Sequence, residues 1–563
     1  MTQAQNPDFN TPYEKGNSNQ TATYTETIAY FKLLDKHFES ISMQEMGPTD
    51  SGEPLHIVIF NPEKTFDFEV IQKEKAVLLI NNGIHPGEPD GIDATMMLFR
   101  DLAMGKIAVP KNTVIVNIPI YNIGGALNRN SFSRANQNGP ESYGFRGNAR
   151  NFDLNRDFLK SDTRNARSFA QIFHKVNPDV FIDNHVSNGA NYQYTFTYIA
   201  THHQKLGGAL GKFWDETMIP SLLADLKKKN IESVPYVNIH DEMPDNGFDQ
   251  FMDYPRYSTG FAAMFGSLGS MPETHMLKDY ASRVKVTYEY MVSSINFIDS
   301  NHSKIKQLRQ ENLALCKPGQ KYTLLWELDK SKITEIPFLG FEGAFKTSEI
   351  SGEPRLFYDE NKPFNKNINY YKTYKAALEV TIPEAYIIPK SWWPVLELLQ
   401  LNNIQMTALD RDTAFEVESY RIEDYKTGTS AYEGHYPHNS VKVSSKIQKI
   451  TFSKGDFLIK TQQPGVKYLL ETLEPQANDS YFTWNFFDSV LQQKEYFSAY
   501  VFEDLAAKLL EENPKLKAAF DQQKANDAAF SASGKAQLDW IYRNSDYYEK
   551  THLEYPVYRI LKK

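Results

Sequence analysis

The sequence has a single cysteine, no excess of positive charge and no long apolar run, and each shortage excludes or disfavours a class of protein. Cys316 is the only cysteine among the 563 residues, which excludes a disulfide within the chain and a cysteine-ligated metal cluster. Any bound metal ion must therefore be held by histidine and carboxylate side chains. The formal net charge of −9 disfavours nucleic acid and anionic membranes as partners.

The chain also lacks the marks of membrane insertion and of an uncleaved secretory signal. No stretch approaches the ~18 consecutive apolar residues that a membrane-spanning helix requires, so no membrane span is predicted. The polar start, Met-Thr-Gln-Ala-Gln-Asn-Pro, lacks the apolar core of a signal peptide. The protein is therefore either cytoplasmic or a mature chain whose signal has been removed. The polar start slightly favours the second alternative, a secreted or periplasmic protein.

What the sequence does contain is an alternation of short apolar runs and amphipathic segments, which is typical of strands separated by helices. Strands are predicted at 76–80, 113–118 and 179–182, and helices at 25–38, 89–103 and 163–176. Strands that are apolar on both faces favour a mostly parallel or mixed sheet covered by helices, which is an α/β fold. The ligands of such sheets gather beyond the carboxyl ends of the strands.

The length predicts two to four domains. We divide the chain into an N-terminal segment at 1–49 whose helix packs on the next domain, a first domain at 50–315, and an accessory domain of unknown role at 316–563. A closing helix is expected at 288–301, and 303–320 is either its extension or a linker. The accessory domain is predicted to mix α and β, with strands at 322–328, 377–382, 441–452 and 457–460 and helices at 501–512 and 514–529.

His85 and Glu88 are the most informative residues, because they follow an apolar run in the order H-x-x-E. A histidine and a carboxylate at this spacing can both point into one loop cavity, and His185 would complete the two-histidine, one-glutamate set of a hydrolytic zinc site. Both histidines follow predicted strands, which favours a shared site. The motif alone is a weak signal, since Glu88 could simply cap the helix that Pro89 begins.

A long polar stretch at 122–162 is rich in Asn, Arg, Gly and Ser and has no apolar periodicity. Loops of this length are usually functional or disordered. The stretch contains Arg146 and the run Asp153-Leu-Asn155-Arg156. A guanidinium group binds a carboxylate through two parallel hydrogen bonds, so these residues could bind a substrate that ends in a free carboxylate.

Four motifs together resemble the zinc metallocarboxypeptidase family, also called funnelins, in type and in order along the chain. They are the H-x-x-E of His85 and Glu88, the D-L-N-R at 153–156, the D-N-H that ends at His185, and Glu273 in Met-Pro-Glu-Thr-His. The resemblance covers roughly 82–275, a little over one third of the chain. It implies a zinc carboxypeptidase-like α/β domain and one zinc ion per chain.

The resemblance also implies roles for individual residues. Zinc would be held by His85, Glu88 and His185, and Asp153 would orient His85 through the ring nitrogen that is not on the metal. Glu273 would be the general base towards a metal-activated water. The substrate would be bound by a further set: Arg146 at the scissile carbonyl, Asn155 and Arg156 at the terminal carboxylate, and Tyr257 closing over it.

Several of these roles have competitors. Arg129, Arg134 and Arg150 compete with Arg146, and Tyr254 competes with Tyr257. Asp153 could instead cap a turn, as aspartate commonly does. Glu273 follows Gly269-Ser-Met-Pro272, so its strand is expected to be short or at a sheet edge. The acidic stretch at 241–253 could favour a basic substrate side chain or be a solvated loop.

The sequence therefore predicts a zinc-dependent carboxypeptidase that hydrolyses the bond at the carboxyl end of a peptide. Its expected substrate is a peptide or acyl-amino acid with a free carboxylate. An amidase, a deacylase or a cell-wall peptide hydrolase on the same scaffold is the alternative, because all of those substrates can also carry a carboxylate. A third hypothesis is a non-catalytic binding protein that keeps the fold.

Overall fold

The structure is a computed structural model of the chain that describes residues 7–240 and 242–562. Residues 1–6 of the polar start and of the predicted N-terminal segment, Asp241 of the acidic stretch, and Lys563 at the end of the predicted accessory domain lie outside the described residues. Within the described part, the helices are too short or too polar to cross a membrane.

The first half of the chain alternates strands and helices. Its strands are β1 (Ile41–Pro48), β2 (Pro54–Phe60), β3 (Ala76–Asn81), β4 (Thr113–Ile118), β5 (Val180–Asp183), β6 (His185–Ser187), β7 (Phe196–Ala200), β8 (Ser233–Pro235), β9 (Phe248–Asp249) and β10 (Leu268–His275). Its helices are α1 (Pro12–Lys15), α2 (Tyr24–His37), α3 (Phe68–Glu74), α4 (Asp90–Ala103), α5 (Ile123–Leu127), α6 (Arg164–Val176), α7 (His203–Leu206), α8 (Gly208–Phe213), α9 (Ile219–Lys228), α10 (Ser258–Met264) and α11 (Tyr280–Leu313).

A nine-stranded mixed sheet forms the centre of this half, in the order β1-β2-β4-β3-β5-β10-β7-β8, with β6 beside β10. The central strand β3 runs parallel to both of its neighbours, β4 and β5. Helices α4 and α6 make the crossovers that parallel pairing requires. Such crossovers are right-handed. The step from β3 to β4 and the step from β4 to β5 move in opposite directions across the sheet, so α4 and α6 lie on opposite faces. The predicted α/β fold with a helix-covered mixed sheet is confirmed.

The apolar runs identified in the sequence form the buried centre of this sheet. Every residue of β3 and β4 is buried. The N-terminal helix α2 packs on the same core, where Phe31 meets Phe99 of α4 with ring centroids 5.8 Å apart. Burial on both faces explains why these strands could be recognised from composition alone.

Strand β10 differs from the expectation that Glu273 lies on a short or edge strand. It has eight residues, all buried, and lies inside the sheet between β5 and β7. On one side it pairs with β5 at residues 268–270 and with β6 at 273–275, so that pairing skips Met271 and Pro272. The missing N–H of proline falls in this gap, which is why proline is tolerated inside the sheet.

The second half contains long β-ribbons and a group of helices. Its strands are β11 (Lys321–Leu328), β12 (Thr334–Thr347), β13 (Pro354–Tyr371), β14 (Tyr374–Thr381), β15 (Ala385–Ile388), β16 (Thr407–Ala408), β17 (Thr413–Thr427), β18 (His438–Phe452), β19 (Phe457–Lys460) and β20 (Tyr558–Ile560). Its helices are α12 (Trp393–Leu401), α13 (Val466–Leu473), α14 (Ala499–Glu512), α15 (Pro514–Asn526), α16 (Ala528–Ser531) and α17 (Gly534–Arg543). The predicted mixture of α and β is confirmed.

The ribbon of β12 and β13 has no counterpart among the predicted strands. These strands pair over most of their length, yet many of their residues are exposed and polar. An exposed ribbon needs no apolar alternation, so the sequence carries little signal for it.

Helix α11 is a single helix of 34 residues, so the stretch after 301 continues it. It ends at Leu313, close to the predicted boundary. The two halves are in close contact beyond it, since β13 pairs with β9 and Phe265 stacks on Tyr468. These contacts do not test the predicted domain division at 315/316, which stays a prediction.

Candidate metal centre and substrate cavity

The structure brings together the three residues that were predicted as metal ligands, at the carboxyl ends of β3 and β5. One ligand atom each from His85, Glu88 and His185 lies within 4.8 Å of the other two, and all three side chains are buried. His85 Nδ1 is 3.3 Å from Glu88 Oε1, and His185 Nδ1 is 3.0 Å from Glu88 Oε2. The Nδ1 atoms of both rings therefore face one carboxylate.

The loop after β3 aims the first two side chains. Gly83 has a φ of +64°, which lets the chain turn sharply away from the strand. The backbone N–H of Glu88 then donates to the carbonyl of His85 at 2.8 Å. This turn puts the two side chains on the same side of the loop, immediately before α4 begins at Asp90.

Each histidine also has a carboxylate at its other ring nitrogen. His85 Nε2 donates to Asp153 Oδ1 at 2.9 Å, as the resemblance implied, and His185 Nε2 donates to Asp183 Oδ2 at 3.0 Å. A proton held on Nε2 leaves the Nδ1 lone pair for a metal. Asp183 had no assigned role in the sequence, although its position two residues before His185 places both side chains on one face of the chain.

The residues present fit a metal ion. Burial alone would raise the pKa of Glu88, but the charges of His85 and Arg134 and hydrogen bonds from the histidines hold it well below its usual range. Glu88 is therefore a carboxylate, and Asp153 and Asp183 are hydrogen-bonded to the histidines. Two imidazoles and one carboxylate form a donor set of catalytic metal sites.

Glu273 lies next to this cluster. Where β10 pairs with β6, Glu273 is opposite His185. The Glu273 side chain lines the same cavity, and only 8% of the residue is exposed. Burial, together with the negative charges of Glu88 and Asp183, raises the pKa of Glu273 to about 8, although His185 opposes the shift. Burial at this position therefore disfavours the ionised carboxylate of Glu273 when no metal ion is bound.

Two of the four competing arginines reach the cavity. Arg134 Nη1 donates to Glu88 Oε1 at 3.0 Å, and Arg146 donates to Asp153 Oδ2 at 2.7 Å. Arg129 instead binds backbone carbonyls near the N-terminal segment, and Arg150 lies over the ring of Phe152. Of the four arginines considered for the role at the scissile carbonyl, Arg134 and Arg146 therefore remain as candidates.

The predicted carboxylate-binding residues lie on one tight turn, Leu154–Arg156, which Asp153 caps through the N–H of Asn155. Asn155 and Arg156 both line the cavity. The Asn155 Oδ1 accepts from the backbone N–H of Ser258 at 3.1 Å. Tyr257 also lines the cavity, with the Arg156 guanidinium 4.6 Å from its ring centre, whereas Tyr254 is not among the lining residues.

The cavity has a volume of about 630 Å³, and its described lining contains two carboxylates, Glu88 and Glu273. Among the described residues of the acidic stretch, no carboxylate lines the cavity: Asp245 pairs with Lys366, for example, and Asp253 accepts from the backbone of His202. Sequence reasoning missed part of the wall, namely Ile199, Tyr236, Asn238, Phe251 and Met271. They come from separate strands and loops, and no motif joins them.

Comparison with known proteins supports the predicted resemblance. No family model matches the sequence. The chain is similar to Carboxypeptidase 2 of Trichophyton rubrum, with 20% identity over 510 residues that cover 85% of this chain and 88% of that protein. Carboxypeptidase 2 of Trichophyton tonsurans is 21% identical over 77% of this chain and 78% of its own length.

Solved structures with some similarity include a metallo-carboxypeptidase from Burkholderia cenocepacia, with a TM-score of 0.37, 15% identity, and coverage of 50% of this chain and 70% of that one. Another is carboxypeptidase A from Helicoverpa armigera, with a TM-score of 0.38, 12% identity, and coverage of 52% and 74%. The curated relatives align over most of the chain and are named carboxypeptidases, which confirms the resemblance to carboxypeptidases that the motifs indicated.

Proposed function

We propose that the chain is a zinc-dependent carboxypeptidase that removes a residue from the carboxyl end of a peptide. The proposal rests on one observation: the His85, Glu88 and His185 cluster, Glu273, and the turn with Asn155 and Arg156 all line one cavity. The carboxypeptidase names of the curated relatives support peptidase activity.

Each part of the chemistry has a residue in the cavity. A zinc ion held by His85, Glu88 and His185 would supply Lewis acidity towards the scissile carbonyl and the attacking water. Glu273 takes a proton from the water and passes it to the departing amine. Asp153 and Asp183 keep the Nε2 protons in place, so that both Nδ1 atoms stay available as ligands.

The terminal carboxylate of the substrate is bound by Arg156 and Asn155. Because Asn155 Oδ1 already accepts from Ser258, its Nδ2 group is the donor that remains for a carboxylate oxygen. Arg146 or Arg134, whose guanidinium groups lie beside the metal cluster, stabilises the negative charge that develops on the scissile carbonyl oxygen.

Blocking the substrate carboxylate tests this proposal. Amidating the carboxyl end of a peptide leaves Arg156 facing a neutral group, and the loss of a buried charged partner costs roughly 2–5 kcal/mol. We therefore expect kcat/KM for the amide to be lower than for the free acid by about 30-fold or more. The measurement is a direct comparison of the two otherwise identical peptides.

An Arg156→Ala variant supplies the control for that comparison. It should lose a similar factor on the free acid and little more on the amide, because both changes delete the same contact. Equal cleavage of free and amidated peptides by the unmodified enzyme would contradict the carboxypeptidase proposal and favour the amidase alternative.

The cavity also indicates the side chain that the enzyme prefers at the carboxyl end. Met271 lies two residues before Glu273 on β10, so both side chains point to the same face, and Ile199 and Phe251 line the cavity with it. Since the carboxylates among the described lining residues are at the candidate metal centre, a lysine or arginine side chain would find no acidic partner among the described residues of this wall. We expect peptides ending in leucine to be cleaved at least about tenfold faster than those ending in lysine.

The matched variant for this preference is Met271→Asp, which adds one carboxylate to the apolar wall. Its ratio of leucine to lysine cleavage should fall, because the new charge pairs with the lysine ammonium group. Faster cleavage of the lysine peptide by the unmodified enzyme would show that an acidic group outside this wall determines the preference.

A further inference from the structure

A loop from the second half of the chain lies against the turn that carries Asn155 and Arg156. It comprises residues 428–437 and joins β17 to β18. At its tip Tyr432 and His435 pair with each other, and the N–H of Tyr432 donates to the carbonyl of His435 at 2.8 Å. The tip is therefore a tight two-residue turn.

The residues of this turn are unusual. Both central residues have positive φ, +48° at Glu433 and +79° at Gly434. Turns of this kind favour asparagine followed by glycine, because the left-handed conformation disfavours most other side chains. Glutamate is thus poorly suited to the backbone conformation of the first position. The turn by itself does not account for a glutamate at residue 433.

Glu433 contacts the start of the D-L-N-R motif. Its Oε2 accepts a hydrogen bond from the backbone N–H of Asp153 at 2.8 Å. The side chain of Asp153 in turn binds His85 and caps the turn through the N–H of Asn155. Glu433 therefore holds the backbone at Asp153, where the carboxylate-binding turn begins.

Tyr432 lies near the carboxylate-binding arginine. The Tyr432 hydroxyl is close enough to the Arg156 guanidinium to help raise its pKa, and the guanidinium lies 4.6 Å from the ring centre of Tyr257. Arg156 thus has two tyrosines beside it, one from each half of the chain. An arginine whose side chain is already fixed loses less conformational entropy when it binds a carboxylate.

The loop itself is anchored at two further points. His435 Nε2 is 2.7 Å from Asp162 Oδ2, close to the carboxylate-binding turn in sequence. The Tyr432 ring stacks on Trp484, with ring centres 6.1 Å apart and an angle of 17° between the planes, and Trp484 is completely buried. A loop held in this way can support its neighbours.

We propose that Tyr432 and Glu433 are positioning residues for the carboxylate site, in which Tyr432 holds Arg156 and Glu433 holds the turn at Asp153. This inference rests on the carboxypeptidase function proposed above. The second half of the chain then completes the substrate site of the first half.

The test uses the full-length protein and a pair of peptides, one with a free carboxyl end and one amidated. Tyr432→Phe removes the hydroxyl that lies near Arg156 and keeps the ring on Trp484. The ratio of kcat/KM for the free acid over the amide should fall by about five- to tenfold, mainly through a higher KM for the acid. The amide should be cleaved as before, because it does not use the Arg156 contact.

Tyr436→Phe is the matched control, since Tyr436 is in the same loop and is 52% exposed. Its ratio should equal that of the unmodified enzyme. Thermal unfolding of each variant shows whether the fold is retained.

Glu433→Asn gives a second, independent measurement. Asparagine suits the positive φ of this position, so the turn and the melting temperature should be maintained, but its side chain is too short to reach Asp153. The ratio of acid to amide cleavage should again fall by about five- to tenfold. If the loop had only a structural role, this variant would keep the ratio of acid to amide cleavage, because its turn is more favourable.

The outcomes separate this inference from the proposal beneath it. If the unmodified enzyme cleaves acid and amide equally, the carboxypeptidase function itself is wrong. If it discriminates and both variants keep that ratio, or lose activity on both peptides alike, the positioning role is wrong while the function stands.

Discussion

Replacing Glu273 with glutamine is expected to lower kcat by about 10²- to 10⁴-fold, which is the usual contribution of a general base. Glutamine has nearly the size of glutamate but cannot accept the proton of the attacking water. The fold should persist, because the neutral amide keeps the size of the side chain and burial already disfavours the ionised form of Glu273 by raising its pKa. Steady-state kinetics on the free-acid peptide, together with metal content and peptide affinity, measure the effect.

Glu242→Gln is the control for that variant. It makes the same substitution at an exposed residue that does not line the cavity. It should retain full activity. If Glu273→Gln kept more than about one tenth of the activity, the proton would have to be accepted by another group, and the proposed role of Glu273 would be wrong.

Removal of the metal is expected to abolish peptide hydrolysis and to leave the protein folded. Without the ion, neither the carbonyl nor the water is activated, so the rate should fall to the background of the assay. The fold should survive, because β3 and β4 are buried in an extensive apolar core that does not include the ligands. Activity after treatment with a chelator, its recovery with zinc, and circular dichroism test both parts.

Two histidine variants test which residues hold the ion. His185→Gln removes one of the three clustered ligand atoms and should reduce bound zinc from about one per chain to well below that value. His240→Gln is the matched change at a histidine that lines the same cavity outside the cluster, and it should retain the ion. A preparation that binds one zinc with His185 replaced would show that the ion lies elsewhere.

Much of the first half could be recognised from local sequence. The run at 113–118 is the strand Thr113–Ile118, and the helix predicted at 163–176 is observed as Arg164–Val176. These elements are buried and apolar over a few consecutive residues, so their period is visible without knowledge of their neighbours. His85 and Glu88, and likewise Asn155 and Arg156, could be proposed as site residues from the sequence because each pair lies within a few consecutive residues.

Other features depended on the path of the chain between distant residues. The sequence did not show that Arg134 reaches Glu88 and that Arg129 does not, because an irregular loop carries no periodic signal for its route. Pro272 indicated an edge strand, yet the change of partner from β5 to β6 creates the gap that accommodates it inside the sheet. This gap arises from the relative positions of β5, β6 and β10, so the sequence of one strand alone does not reveal it.

The sequence by itself limited the donors of the candidate metal centre and set the order of its motifs, because a single cysteine leaves only histidines and carboxylates, and the residues of each motif are close together in the chain. Only the tertiary structure placed Glu433 against Asp153, a contact between residues 280 positions apart. Local side-chain patterns report which face of an element is buried, but they do not report which distant element covers it. That choice is made by packing, and here it joins the second half of the chain to the turn that we propose binds the substrate.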